Sequence, residues 1–232
     1  MSNEDSRATA GRAPPWESRS WLRSGTLETL VELNEQCLEL LQQQTCAGAQ
    51  QPLLRDLATL WRELEPGSRR RAADMAVLLL DAGFGDATRW SVEDVVRDQP
   101  MPEPAPFFTV SAAVPVMRQV LVYAWHLAHA EGAAARLLLG MSADCVAQIG
   151  SCTLNRVTSL AETRVHWLRP RWMQCPAVWR DLLTAALAGE THALQHMRLR
   201  GLSLLAAQTR NFDLAAPGCR SPETSRRPRL PV

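Results

Sequence analysis

The chain has no lysine. All 25 of its Lys+Arg residues are arginine, against 24 Asp+Glu, for a formal net charge of +1 that hides an uneven distribution along the chain. With this much Ala and Leu, the arginine bias reflects base composition and does not by itself point to phosphate recognition. No apolar run reaches the roughly 18 residues of a membrane span. The opening "MSNEDSRATAGRAPPWESRS" lacks the apolar core of a secretory signal, so the expected location is cytoplasmic with no membrane partner. None of the six cysteines (Cys37, Cys46, Cys145, Cys152, Cys175, Cys219) forms a C-x-x-C pair, which argues against zinc. "GFG" at 83–85 lacks the strand, the further glycine and the helix start of a dinucleotide site. The helical pairs His126/His129 and His192/His196 have no neighbouring carboxylate or third ligand to complete a metal set. No nucleophile, base and orienting group converge, and the expectation is a non-enzyme with no cofactor and no metal.

What is present is helical periodicity. Leu27, Leu30, Val31, Leu33, Leu38, Leu40 and Leu41 recur at helical spacing. A second helix is expected from Pro52 to Leu64, and a third, capped by Ser68, running through "RRRAADMAVLLLDAG" to Gly83. "WSVEDVVRD" adds a short helical turn. "QPMPEPAP" (99–106) holds four prolines in eight residues and reads as a stiff linker. Beyond it, helices are expected over 114–130, 143–150 behind a Ser142 cap, 154–163 behind a Thr153 cap, and in "AVWRDLLTAALAG" and "ETHALQHMRLRGLSLLAAQ". The predicted fold is all-α in two small helical domains. The divisions are a tail over 1–24, an acidic helical domain over 26–98, a linker over 99–110, a second helical domain over 112–213 and a basic tail over 214–232.

Charge follows that division. Thr26–Pro100 carries 7 Arg against 13 Asp+Glu, whereas Glu131–Asp213 carries 9 against 6. The asymmetry suggests a polyanion or an acidic partner for the back half. A faint internal echo crosses the same division. "EPGSRRRAADMAVLLLDAGF" (65–84) aligns without gaps to "TLNRVTSLAETRVHWLRPRW" (153–172), matching Ala73 with Ala161, Asp74 with Glu162, Val77 with Val165 and Phe84 with Trp172. Trp90 and Trp179 follow within seven residues of each stretch.

"LLLGMSADCVAQIGSCTLNRVTSLAE" (137–162) has the spacing of a helix-turn-helix-like unit. Ala147 is small where a second helix would cross, the turn falls at Gly150–Ser151, and Val157 and Leu160 face inward. Two short helices that only pack against the body satisfy the same spacing. If the unit meets DNA, Asn155 and Arg156 are placed for a phosphate or a purine edge. In "HWLRPRWMQCPAVW" (166–179), three Trp either pin a loop to the core or flank Arg169 and Arg171 as phosphate contacts.

These residues resemble FlhD, the subunit family of the flagellar master transcriptional activator. The similarity is carried by Ala124, Leu127, Glu131, Ala133 and Ala135 in a leading helix, "LG" at 139–140, "CTL" at 152–154 and "LAET" at 160–163. It runs ungapped to Trp172 and more weakly into "MRLRGLSLLAAQTR", covering about 118–210. The resemblance implies a dimerising, non-catalytic transcriptional regulator that binds DNA, weakly alone, together with a zinc-containing FlhC-like partner subunit. Candidate DNA contacts are then Asn155, Arg156, Arg164, Arg169 and Arg171. Ser159 stands where the family has a basic residue, and Leu168 where it has a Cys able to link two subunits. A protein-interaction adaptor of the same fold that does not bind DNA is the alternative. The acidic front domain has no counterpart in the family. It is a partner-binding module, a degenerate copy of the same unit, or a pseudo-dimer partner within one chain.

Overall fold

The computed structural model describes residues 24–90 and 105–215, with side chains over 25–90 and 105–210. Apart from Trp90, the expected helical turn in "WSVEDVVRD" lies outside these residues, as do most of the proline-rich linker and the two tails except Ser24, Leu214 and Ala215. Long stretches of helix-favouring Leu, Ala, Glu, Gln and Arg produce an all-α fold, as expected. The helices are α1 (Ser24–Cys46), α2 (Pro52–Arg55), α3 (Ala58–Glu63), α4 (Pro66–Ala73), α5 (Val110–Ala130), α6 (Gly132–Leu139), α7 (Ala143–Ser151), α8 (Leu154–Thr163), α9 (Pro176–Ala188) and α10 (Thr191–Ala215). Short 3-10 turns lie at Ala87–Trp90 and Val165–Trp167. Two two-residue strands, β1 (Leu80–Asp81) and β2 (Arg169–Pro170), pair antiparallel with Leu80 opposite Pro170 and Asp81 opposite Arg169.

The expected separation into two helical domains gives way to a single core. Buried apolar residues from Leu30 to Leu205 form one contiguous cluster that draws on both sides of the proline-rich segment. α1 packs on α5, and α9 reaches back to α3 and α4. There Trp61 and Trp179 meet with ring centroids 5.7 Å apart. Each half alone would leave a large apolar face wet, and joining the halves buries both faces at once.

The third expected helix is also corrected. It starts at Pro66 without a side-chain cap, and Ser68 lies buried within it, accepting from Arg71 Nη2. It stops at Ala73 instead of Gly83. Asn34, fully buried in α1, donates its amide to Ala73 O and Val77 O and accepts from Leu79 N, each within 3.0 Å. Leu78 N donates to Leu138 O at 2.8 Å. These partners replace the i to i−4 ladder, and "VLLL" (77–80) is buried on every side as irregular chain leading into β1. Likewise the helix expected over 52–64 is broken into α2 and α3.

α10 lies across the body through close approaches at two glycines. A Cβ on Gly201 would sit 2.8 Å from Met75 Cε, and one on Gly140 would sit 2.5 Å from Leu205 Cδ1. Gly140 also ends α6 in the left-handed region at φ 65°, where a side chain is strained.

Candidate interaction surface on α7 and α8

The caps expected at the start of α7 and α8 are formed. Ser142 Oγ accepts from Cys145 N at 3.2 Å, and Thr153 Oγ1 accepts from Arg156 N at 3.3 Å. The helix-turn-helix packing expected between them is not. Ala147, assigned to the crossing point, is exposed. Both helices instead lie on α5, the long apolar helix that offers a wider surface than either short one. The close approach is made by Gly150, whose Cβ position lies 3.6 Å from Ala128 of α5. Trp125 Nε1 on α5 donates to Cys152 O at 2.8 Å and ties down the turn between α7 and α8.

The five candidate residues separate. Asn155 is exposed on the first turn of α8. Arg156 is half-buried, and its Nε has no hydrogen-bond partner among the described residues. Arg164, also half-buried, follows the C-terminus of α8, its backbone N donating to Leu160 O at 2.9 Å. Arg169 lies in β2 opposite Asp81 and donates through Nη2 to Ala105 O at 3.2 Å.

Arg171 is removed from any surface. It is 5% exposed, its Nε donates to Leu78 O at 2.7 Å and its Nη2 to Leu139 O. Its backbone N donates to Leu79 O at 2.8 Å, and its carbonyl accepts from Trp179 Nε1 at 2.8 Å. Burial pushes the guanidinium below its ordinary range, with Asp81 acting in the opposite direction. It therefore cannot reach a phosphate. The spacing of "RPRW" does not distinguish a surface Arg from one turned inward. The flanking Trp172, at 9% exposure with φ 51°, marks a chain turned tightly into the core.

The outward strip of α8 is Leu154 (46% exposed), Asn155, Ser159, Glu162 and Thr163. It has no cation of its own, and Glu162 is bridged by Arg118 of α5 at 3.0 Å. Sequence reasoning missed this apolar-to-acidic character because it weighed Arg156 and overlooked Leu154. Between α1 and α5, Glu32, Leu33, Val122, Tyr123 and His126 line a groove of about 340 Å³.

Chemistry elsewhere is sparse. His129 is exposed and lies against Trp125, with ring centroids 4.5 Å apart and the planes tilted by 58°. His126, His192 and His196 are exposed. Burial pushes the thiols of Cys37 and Cys145 far above their ordinary range, so both are inert packing groups. Among the described residues no group of three or more His, Cys, Asp or Glu is placed to hold a metal ion. No helix among them is long and apolar enough to cross a membrane. Comparison with protein-family models, curated proteins and solved structures finds no match to this chain.

Proposed function

We propose that this chain is a non-catalytic helical adaptor of the FlhD-like regulator type, acting in the cytoplasm through a protein partner and not reading DNA with α8. One observation carries the reading. The strip that α8 offers to the outside is Leu154, Asn155, Ser159 and Glu162, without a cation, while Arg171 serves the interior. A phosphate-facing helix needs several cations on its outer strip, because counterion release supplies most of non-specific affinity. An exposed apolar residue flanked by polar groups and one carboxylate suits a protein contact instead. Control of flagellar or secretion genes is the setting the resemblance suggests, with an FlhC-like subunit as partner.

A second reading, direct DNA contact, draws on exposed Asn155 and on Arg156 beside it. Fluorescence anisotropy with labelled duplex DNA at about 50 mM salt separates the two. The adaptor reading expects no saturable binding, and no difference between the wild type and Arg156→Ala/Arg169→Ala. Saturable binding that weakens steeply with salt and is lost in that variant overturns it in favour of DNA contact.

A further inference from the structure

We infer that the chain is a tandem duplication folded as its own two-fold dimer, so that the partner covering the α1–α5 face of each unit is the other copy within the same chain. The echo between 65–84 and 153–172 is a shift of 88 positions (153 minus 65). At that shift α4 falls on α8 and β1 overlaps β2. Two copies related by a two-fold axis bring equivalent residues together only on the axis, and an antiparallel strand pair across it must be centred on one such pair. The observed register opposes Asp81 to Arg169, residues equivalent at the same shift of 88.

An independent contact places a second point on the axis. Leu30, Leu33, Asn34, Cys37, Leu38, Leu40 and Leu41 of α1, moved by 83, fall on buried residues of α5 from Ala113 to Ala124, whereas buried Thr45, near the end of α1, falls on half-buried Ala128. At that shift Gln36 is equivalent to Gln119, and these two side chains hydrogen-bond to each other at 2.6 Å. α1 and α5 run antiparallel about that contact. Tyr123 Oη donates to Thr26 O at 2.8 Å near one end and Gln44 Nε2 to Phe107 O at 2.9 Å near the other. The difference between the two shifts is five residues (88 minus 83), and between the paired segments the first copy has the 4-residue α2 where the second has the 8-residue α6.

Packing repeats with sequence. α1 lies on α3 and α4 as α5 lies on α7 and α8. Trp90 Nε1 points to Gly83 O at 3.4 Å, and Trp179 Nε1 to Arg171 O at 2.8 Å, the two carbonyls being equivalent at the shift of 88. The ends of the copies are exchanged: α9, after the second, covers α3 and α4, whereas the 3-10 turn Ala87–Trp90, after the first, lies on α7. The Arg89 guanidinium sits 4.1 Å from the Trp167 ring centre across the same boundary. With both copies in one chain the dimer face is filled in cis, and no second chain is needed to bury it.

Three measurements on the 232-residue chain test this. Sedimentation velocity of the wild type is expected to give the 25.7 kDa monomer. A stable dimer that persists on dilution overturns closure in cis. Gln36→Cys/Gln119→Cys, in a background with Cys46, Cys175 and Cys219 changed to Ser, is treated with a short bismaleimide. A cross-link within one chain is expected. A cross-link between chains, or none while both thiols react singly, overturns the arrangement. On a two-fold axis the two positions see equivalent surroundings. Gln36→Glu/Gln119→Arg and Gln36→Arg/Gln119→Glu are therefore expected to melt within about 2 °C of each other, and both above Gln36→Glu/Gln119→Glu. A difference between the two opposite-charge orientations as large as that to the like-charge pair overturns the equivalence.

Discussion

The two halves leave their fourth helical segment in different ways. After α8 the chain satisfies itself: Arg164 N donates to Leu160 O, Trp167 N to Arg164 O and Leu168 N to Val165 O, so the helix tightens into a 3-10 turn. After α4 the corresponding backbone departs from helical geometry, and its polar groups are met from elsewhere. Asn34 takes Ala73 O, Val77 O and Leu79 N, and Arg171 takes Leu78 O. At the position of α5 equivalent to Asn34 stands Met117, fully buried and with no amide to offer. The contrast teaches that a buried polar side chain determines whether a helix ends locally or by remote support. The front half relies on two such side chains, and the back half on its own backbone.

Breaking the larger of those supports gives the largest expected effect. Arg171→Met keeps the length of the side chain but strands Leu78 O and Leu139 O in the core, with an expected loss of about 3 kcal/mol. Urea denaturation monitored by circular dichroism checks it, and a loss within error of zero would show that the carbonyls find other donors. Arg171→Lys is not expected to restore stability, because one ammonium does not span two carbonyls as a guanidinium fork does.

Asn34→Met places in α1 what α5 already has, and so tests the comparison directly. The expected loss is about 2 kcal/mol, since Val77 O and Leu79 N are left unpaired in the core. The reciprocal Met117→Asn is expected to destabilise as well, because the turn at Val165–Trp167 has already used its backbone groups. If Met117→Asn instead stabilises, the two halves are closer in mechanism than their hydrogen bonds indicate.

This same feature marks the limit of what the residues revealed in advance. The helices bounded by Ser142, Thr153 and Gly140 were legible because caps and left-handed stops are local chemistry. The end of α4 was not, because its cause, Asn34, lies 39 positions away from Ala73. "MAVLLLDAG" has helical composition, and only its tertiary partners show that it leaves the helix as irregular chain leading into β1. The candidate site was legible in part. Asn155 and Arg156 lie at the start of α8 as its cap predicts, but whether Arg171 faces water depends on the carbonyl of Leu139 in another element. The proline-rich "QPMPEPAP" marked a connection and suggested a domain boundary. Composition cannot report that the elements on either side share one core.

Caps supply a smaller effect and sharpen the comparison at the other end of the same helices. Thr153→Ala removes the acceptor for Arg156 N and is expected to cost about 1 kcal/mol, read as a lower urea midpoint. Glu65→Ala, before α4, removes no cap hydrogen bond, because that helix begins at Pro66 without one. Its cost is expected below about 0.5 kcal/mol. Equal losses at the two sites would mean that the Thr153 hydroxyl is solvated in solution and does not cap.

The smallest effect is expected from the Arg118–Glu162 bridge, whose side chains are 47% and 64% exposed. Water and salt screen such a pair, so Glu162→Gln is expected to change stability by no more than about 0.5 kcal/mol. Its value lies in binding, because Glu162 is the only ionised group on the outward strip of α8. Removing it makes that strip more favourable to a phosphate backbone and less favourable to a basic partner surface. No gain in duplex affinity for Glu162→Gln by anisotropy, with stability unchanged, would show that repulsion by this one carboxylate does not set how the face meets DNA.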